Sequence, residues 1–236
     1  MKKNAIVLSL LLIGSISVNA CKDADENKSE MKTPIDALAT NNPSPSTLTV
    51  AEAKVKTIAD MQEAFNGESN ATVRYAAFSK KAVEEGQTEI ALLFKAAALA
   101  EQIHAENHKA VLEGMGVTVL LPIIDVKVQS TKENLAFAIK GETYEATTMY
   151  PNFLEDANKA GNQLAMISLN YAYKTEKKHK VYYEQALAAL NSNKANTLPS
   201  TYFVCPTCGN TYETTAPKRC AISMTSSEKF VKINSL

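Results

Sequence analysis

Apolar positions in the middle of the chain recur at intervals of three and four residues, the period of an amphipathic α-helix. In one segment a single face carries Ile90, Leu93, Phe94, Ala97, Glu101, His104 and His108. A later segment has the same pattern at Leu164, Ile167, Ser168, Tyr171, Thr175 (or Ala172), Glu176 and His179. The pattern predicts two long helices that each bury one face, although both faces contain charged residues.

The chain contains an internal repeat. Residues 64–68 (AFNGE) match residues 138–142 (AIKGE), and each copy continues as a helix-like run that is broken at Gly86 or Gly161. Both glycines suit the left-handed backbone position that ends a helix. Each copy ends in Glu-x-x-His, so each repeat is predicted to be a hairpin of two helices.

The two predicted hairpins are joined by residues 117–130, which contain Pro122 and many β-branched residues. This composition predicts an extended crossover. Two hairpins and a crossover predict an all-α, ferritin-like four-helix bundle over residues 51–192. Pro151 lacks a backbone donor and is expected to kink or loosen the third helix.

Composition and charge narrow the functional classes. The 25 basic and 25 acidic residues cancel, so no net field attracts nucleic acid, and no nucleic-acid partner is expected. Alanine, leucine, lysine and glutamate dominate the middle of the chain, which favours helix over sheet.

The first residues predict export. Residues 1–20 have a basic start and a short apolar run, and Val18-Asn19-Ala20-Cys21 resembles the bacterial lipobox. Residues 1–20 are therefore interpreted as a lipoprotein signal peptide, Cys21 as the lipidated residue and residues 21–50 as a flexible tether. The alternative is an ordinary secretory signal and a soluble periplasmic protein. The expected location is the periplasmic side of a membrane or the cell surface of the outer membrane.

The charged residues on the helix faces predict a metal centre. Glutamate and histidine at i and i+3 lie on one face, and several buried carboxylates need a cation. Bridging carboxylates with one imidazole per metal suit two iron or manganese ions. The candidate ligands, one on the first predicted helix and two on each of the others, are Glu68, Glu101, His104, Glu142, Glu145, Glu176 and His179. His108 has no matching glutamate and is expected to support a ligand or to lie at the surface.

At these residues the chain resembles the rubrerythrin family. The resemblance rests on AFNGESNATVRY (64–75), AEQIHAENH (100–108), GETYEATTMYP (141–151) and TEKKH (175–179). It implies a non-haem di-iron peroxidase that reduces hydrogen peroxide to water in oxidative-stress defence. It also implies a homodimer in which the C-terminal tail (residues 200–236) of one chain approaches the bundle of the other.

The resemblance assigns roles to the candidate ligands. It implies that Glu101 and Glu176 bridge the irons and that His179 binds one of them. It also implies that the other iron moves on redox change between His104 and Glu145. The remaining carboxylate ligands are then Glu68 and Glu142, and two tyrosines, Tyr75 and Tyr150, flank the site and hydrogen-bond its carboxylates. Ordinary core packing is the alternative role for both tyrosines.

The C-terminal residues 200–236 resemble a rubredoxin-like domain, which passes electrons to the di-iron site in the family. Cys205-Pro206-Thr207-Cys208 supplies two thiolates for one metal ion, but the second half of the motif has Cys220 and then Ser223 where a fourth cysteine is expected. Three outcomes are open: iron completed by Ser223 or water, a structural zinc ion, or no metal and a disulfide.

The leading hypothesis is therefore an exported, lipid-anchored di-iron peroxidase. A ferroxidase or iron-binding protein, and a non-catalytic anchored protein with vestigial sites, are the alternatives. The sequence does not identify the electron donor.

Overall fold

The computed structural model describes residues 48–236, so the predicted signal peptide, Cys21 and most of the predicted tether lie outside the described residues. Helix α1 (Val50–Glu84) begins with a capping box. The Thr49 hydroxyl accepts a hydrogen bond from the Glu52 N–H, and the Glu52 carboxylate accepts one from the Thr49 N–H. Helix α2 (Thr88–Gly114) follows a short turn at Gly86, whose φ is +72°, and packs along α1.

The second hairpin has the same design with an interruption. Helix α3 (Thr131–Tyr144) leads into a π-helical turn (Glu145–Met149), helix α4 (Tyr150–Lys159) and, after Gly161 (φ +67°), helix α5 (Gln163–Asn191). Residues 117–130 between the hairpins contain neither helix nor strand. The predicted ferritin-like bundle with its extended crossover is confirmed.

The third helix was predicted to kink or loosen near Pro151, and the structure has a π-helical turn directly before this residue. The N–H of Tyr150 donates to the carbonyl of Glu145, five residues earlier instead of four. Pro151 then lies in the first turn of α4, where its missing N–H is tolerated. Such turns often occur at functional sites, and this one begins at the candidate ligand Glu145.

The buried face of α2 is confirmed, but the face predicted for α5 is partly wrong. Leu164 is 63% exposed and Ile167 47% exposed. The buried stripe of α5 is instead built on Ala165, Ser168, Leu169, Ala172, Thr175, Glu176, His179, Tyr183 and Ala186. Alanines at this stripe let the helices approach closely, and periodicity counted from large side chains does not detect them.

The C-terminal residues form a small antiparallel sheet of three strands, in which the first strand lies between the other two. Strand β1 (Tyr202–Val204) pairs with β2 (Thr211–Glu213) and with β3 (Val231–Ile233), so that Phe203 lies opposite both Tyr212 and Lys232. The buried side chains of Tyr202, Val204 and Ile233 join the apolar core of the bundle. The tail therefore packs on the bundle of its own chain.

The bundle contains two apolar cores. One includes Phe78, Phe94 and Tyr183, and the other includes Met61, Phe65 and Leu169. Six of the seven candidate metal ligands lie on the same helices and are buried as well, whereas Glu145 in the π-helical turn is half-buried. No helix within residues 48–236 is both long and apolar enough to cross a bilayer.

Candidate metal centre

Six of the seven predicted metal ligands lie together in the interior of the bundle. They form two overlapping sets, and within each set one ligand atom per residue lies within 4.8 Å of every other. The first set is Glu68, Glu101, His104 and Glu176, and the second is Glu101, Glu142, Glu176 and His179. All six side chains are at most 2% exposed. The carboxylates shared by both sets are the two that precede the histidines.

The helices place these residues by simple geometry. On α2 and α5 the three-residue spacing turns the glutamate and the histidine inward on one face. On α1 and α3, Glu68 and Glu142 are the buried glutamates that face them. The internal repeat therefore appears in space as two similar half-sites.

The tail fixes the orientation of both imidazoles. The Nε2–H of His104 donates to the carbonyl of Cys208 at 3.1 Å. The Nε2–H of His179 donates to Oγ1 of Thr211 at 3.0 Å, and the Thr211 hydroxyl donates to the Gly209 carbonyl. Because both Nε2 atoms carry hydrogen, both Nδ1 atoms can offer a lone pair to a metal ion.

The atoms that meet in the centre need a cation between them. Nδ1 of His104 lies 3.0 Å from Oε1 of Glu176, and Nδ1 of His179 lies 3.0 Å from Oε1 of Glu101. Oε2 of Glu142 is buried and has no hydrogen-bond partner among residues 48–236. Acceptors that converge in this way repel one another unless metal ions or protons bind them. The donor set, carboxylates with one imidazole per half-site, fits two iron ions.

The pKa values of the buried glutamates and histidines also indicate that positive charge stabilises this cluster. Burial, followed by the charges of Glu101 and Glu176, raises the pKa of Glu68 well above its usual range. Burial lowers the pKa of His179, but Glu101 and Glu176 outweigh it and raise that pKa to about 9. Burial also raises the pKa of Glu101, but the two histidines lower it to about 2. Both directions of shift favour positive charge among these carboxylates.

The seventh predicted ligand, Glu145, lies outside both sets. It is the first residue of the π-helical turn and is only partly buried. Burial, followed by the charges of Glu176 and Glu101, raises its pKa to about 8. Glu145 is therefore a nearby carboxyl group outside the converging ligands, whereas His104 is one of them.

The two predicted tyrosines both contact carboxylates of the site. The Tyr75 hydroxyl donates to Oε1 of Glu142 at 2.6 Å, and the Tyr150 hydroxyl donates to Oε1 of Glu68. Each bond fixes the orientation of one carboxylate. His108 is buried and contacts Tyr150, so it is not a surface residue.

The tail brings its three cysteines together. Cys205, Cys208 and Cys220 are buried free thiols whose sulfur atoms lie within 4.8 Å of one another. Donors surround the Cys220 sulfur, including the N–H of Ile222 and the hydroxyl of Tyr212, both at 3.5 Å. Donors of this kind stabilise a thiolate and tune a bound metal.

Ser223 lies where a fourth ligand would be. Its Oγ is 3.3 Å from the sulfur of Cys205 and 2.8 Å from Oγ1 of Thr225. A hydrogen bond with Cys208 lowers the pKa of the Cys205 thiol to about 4, and Ser223 lowers it as well, although burial opposes both. The arrangement fits one iron or zinc ion bound by three sulfurs and one oxygen.

We expect Ser223→Cys to complete a four-thiolate site. Sulfur binds iron and zinc more strongly than a serine hydroxyl does, so the metal should resist a competing chelator by about tenfold or more. Iron-loaded protein should also gain thiolate charge-transfer absorption in the visible spectrum. Ser235→Cys, at an exposed position near the C-terminus, is the matched control and should change neither property. Equal metal retention in both variants would contradict a fourth-ligand position for Ser223.

Sequence reasoning missed the residues through which the tail holds the histidines. The carbonyl of Cys208 and the hydroxyl of Thr211 have no motif of their own. The one available sequence signal was Gly209, the glycine directly after Cys208, because glycine readily adopts a left-handed backbone. In the structure its φ is +72°. A side chain there would collide with His104, since an added Cβ would lie 2.3 Å from its Nε2 atom.

Comparisons with known proteins agree with this geometry. The family model described as Rubrerythrin matches residues 61–187. The chain is 32% identical to Rubrerythrin-2 of Clostridium acetobutylicum over 171 residues, which are 72% of this chain and 92% of that relative. It is also 32% identical to nigerythrin of Nitratidesulfovibrio vulgaris over 185 residues, which are 77% and 90% of the two chains.

Solved structures extend the likeness to the fold. A fully reduced, all-ferrous nigerythrin superposes with a TM-score of 0.67 at 28% identity and covers 87% of this chain and 99% of its own. A bacterioferritin of Mycobacterium tuberculosis superposes with a TM-score of 0.54 at 19% identity over 58% of this chain and 87% of its own, a likeness of fold alone.

Proposed function

Because the chain belongs to the rubrerythrin family, an iron-dependent oxidoreductase family whose members carry two iron ions, we propose that it reduces hydrogen peroxide to water. The observation that carries the proposal is the pair of overlapping ligand sets, which share Glu101 and Glu176. In this proposal the shared carboxylates would hold both irons, and each of the two histidines would hold one of them. Glu68 and Glu142 complete the two half-sites.

The iron pair, when bound and reduced, supplies two electrons together, which is the number that cleavage of the O–O bond requires. The protein residues position and protect that chemistry. Tyr75 and Tyr150 hold two carboxylates in place through their hydroxyl groups. The aromatic core around Phe94 and Tyr183 keeps water away from one side of the site.

Glu145 would be an additional ligand for the iron pair, able to exchange with His104 and to supply the carboxylate that an oxidised iron prefers. The π-helical turn at Glu145 supports this role, because such a turn has wider hydrogen-bonding geometry than the α-helix around it. The position of Glu145 outside both ligand sets, beside the bridging carboxylates, fits a ligand that can be exchanged.

We expect Glu145→Ala to slow the oxidation of the diferrous site by peroxide by roughly tenfold or more, because the ferric product loses a carboxylate ligand. Two irons should still bind in the bundle. Rapid mixing of the reduced protein with peroxide measures the rate. Glu155→Ala, which removes an exposed glutamate on α4, is the control and should react like the wild type. Wild-type kinetics in Glu145→Ala would refute the exchange.

Electrons are proposed to enter through the tail. The Cys208 carbonyl accepts a hydrogen bond from the His104 imidazole. Cys208 would therefore connect a metal bound to its sulfur, through its own backbone and this one hydrogen bond, to a ligand of the iron pair. An iron ion at Cys205, Cys208, Cys220 and Ser223 can change charge and relay electrons, whereas zinc cannot.

The proposed function is tested on the chain from Lys22 onward, loaded with iron without oxygen. Three irons per chain with a thiolate charge-transfer band, and peroxide turnover with a reductant, are the expected results. Two irons, without that band, and oxidation of ferrous iron in place of peroxide turnover would support a ferroxidase instead. Binding of substantially less iron would favour the vestigial alternative and would overturn the proposal.

The exported, lipid-anchored form is proposed from the lipobox-like residues before Cys21. We expect the full chain to incorporate labelled fatty acid when it is expressed in a bacterial host, and Cys21→Ala to lose the label and to leave the membrane fraction. If both proteins are labelled equally, the lipid is attached at another residue. If neither is labelled, the chain is not a lipoprotein.

A further inference from the structure

His108 is a buried, titratable side chain with no place among the metal ligands. It is fully buried on α2, one turn beyond His104. Its Nε2 atom lies 3.3 Å from the Tyr150 hydroxyl, and its Nδ1 atom lies 2.8 Å from Oγ of Ser168 on α5. Since Tyr150 in turn contacts Glu68, four side chains form one continuous row of hydrogen bonds.

The chemistry of these groups sets the direction of every bond in the row. A carboxylate of Glu68 that binds metal can only accept, so the Tyr150 hydroxyl donates to it. The Tyr150 oxygen then accepts from Nε2–H of His108. The Nδ1 atom of the same neutral imidazole has no hydrogen and accepts from the Ser168 hydroxyl. All donors therefore point toward the metal centre.

The outer end of the row reaches the surface. Ser168 lines a cavity of about 240 Å³ between α2 and α5, together with Asn107, Val111, Ile167 and Tyr171. Ile167 is 47% exposed, so this cavity is accessible from solvent. A water molecule there can donate to the Ser168 oxygen and extend the row to bulk solvent.

The other half-site has no such row. The Tyr75 hydroxyl also donates to a carboxylate, that of Glu142, but its ring packs among Phe78, Phe94 and Tyr183. Among the described residues, no hydrogen bond leads from Tyr75 to the surface. The two halves of the bundle are similar in their ligands and differ in this connection.

We propose that Ser168, His108 and Tyr150 form a proton relay that carries protons from the cavity between α2 and α5 to Glu68 at the metal centre. The relay rests on the proposed function, in which one H₂O₂, two protons and two electrons give two H₂O. The O–O bond breaks, two O–H bonds form, the electrons are those of the reduced iron pair, and the relay supplies protons. Each transfer moves one proton along every bond of the row, and a solvent proton replaces the one that leaves Ser168.

His108 is suited to this step because it stays neutral. Burial, followed by the charge of His104, lowers its pKa to about 3, although Glu101 opposes the shift. A neutral imidazole can accept a proton at Nδ1 while it releases one at Nε2, so no charged imidazolium has to persist in the apolar core.

The first test needs no turnover. Nitrogen NMR of the full chain loaded with zinc, which is diamagnetic and keeps Glu68 an acceptor, reports the tautomer of each of the three histidines, with the His108 signals assigned from their loss in His108→Gln. We expect His108 to be neutral with its hydrogen on Nε2. A hydrogen on Nδ1 would reverse the bonds to Ser168 and Tyr150, and it would overturn the relay.

The second test is kinetic and uses reduced, iron-loaded protein mixed with peroxide. His108→Gln keeps an acceptor and a donor but exchanges protons poorly, and His108→Leu removes both. We expect both variants to retain two irons in the bundle and to react slower by on the order of tenfold or more. Ile167→Ala, in the same cavity wall but outside the row, should react at the wild-type rate.

The outcomes separate the relay from the proposed function. If the wild type reacts and His108→Gln reacts equally fast, His108 only positions Tyr150, and the relay is wrong while the peroxidase stands. If Ile167→Ala is as slow as the His108 variants, the loss reflects packing and the relay is also wrong. If the wild type itself does not react with peroxide, the proposed function fails and the relay fails with it.

Discussion

Replacing Glu176 by alanine is expected to remove both irons from the bundle in a single step. Its Oε1 atom faces Nδ1 of His104 at 3.0 Å and its Oε2 atom faces Nδ1 of His179 at 3.1 Å, so this carboxylate belongs to both half-sites. In the proposed site each metal would then lose a ligand, because Glu176 belongs to both ligand sets. Iron in the bundle should fall from two per chain to less than one, and peroxide reduction by about a hundredfold or more.

Iron analysis and rapid mixing with peroxide check this result on the same samples. Glu142→Ala is the matched comparison, because Glu142 belongs to only one of the two ligand sets. It should weaken one iron and leave the other bound. Retention of two irons in Glu176→Ala would show that Glu176 does not bridge them.

Gly209→Ala is expected to detach the tail from the bundle while the ligands of the iron pair stay in place. An added Cβ would lie 2.3 Å from Nε2 and 2.8 Å from Cδ2 of His104, and 3.0 Å from the carbonyl oxygen of Ala100. These atoms are buried and belong to a helix, so the tail has to move. The hydrogen bond from His104 to the Cys208 carbonyl is then lost.

If electrons enter through the tail as proposed, their transfer should be lost, since both the contact and the orientation of His104 change. Steady-state peroxide reduction should fall by roughly tenfold to a hundredfold, the size of effect that a displacement of about 1 Å can have. Two irons should still bind in the bundle, and chemically reduced protein should still react with peroxide. Hydrogen exchange across residues 202–213 should accelerate as the tail detaches.

Gly116→Ala separates this collision from backbone strain. Gly116 has φ +73°, nearly the same as Gly209, but an added Cβ would meet no atom within 4 Å. The variant should lose about 1 kcal/mol of stability from the unfavourable φ and keep its turnover. If Gly209→Ala behaves as Gly116→Ala does, the tail is not held by this close contact.

Much of the metal centre could be predicted from the sequence because its determinants are local. The spacing of Glu101 and His104 on one helix, and of Glu176 and His179 on another, places each pair on a single face whatever surrounds the helix. The repeat supplied Glu68 and Glu142, and Pro151 indicated the interruption that became the π-helical turn. Periodicity was less reliable on α5, where alanines form the buried stripe and the larger Leu164 and Ile167 face solvent.

The sequence by itself therefore determined the bundle, the ligand residues and the cysteine knuckle. All of these follow from the spacing of residues within each helix or motif and from the internal repeat. Only the tertiary structure decided that the tail packs on its own bundle, that Gly209 touches His104, and that Glu145 lies outside the converging ligands. It also decided that His108, Tyr150 and Ser168 form one row. These contacts join residues 42 to 105 positions apart, and their formation depends on how whole helices pack, which no local period encodes.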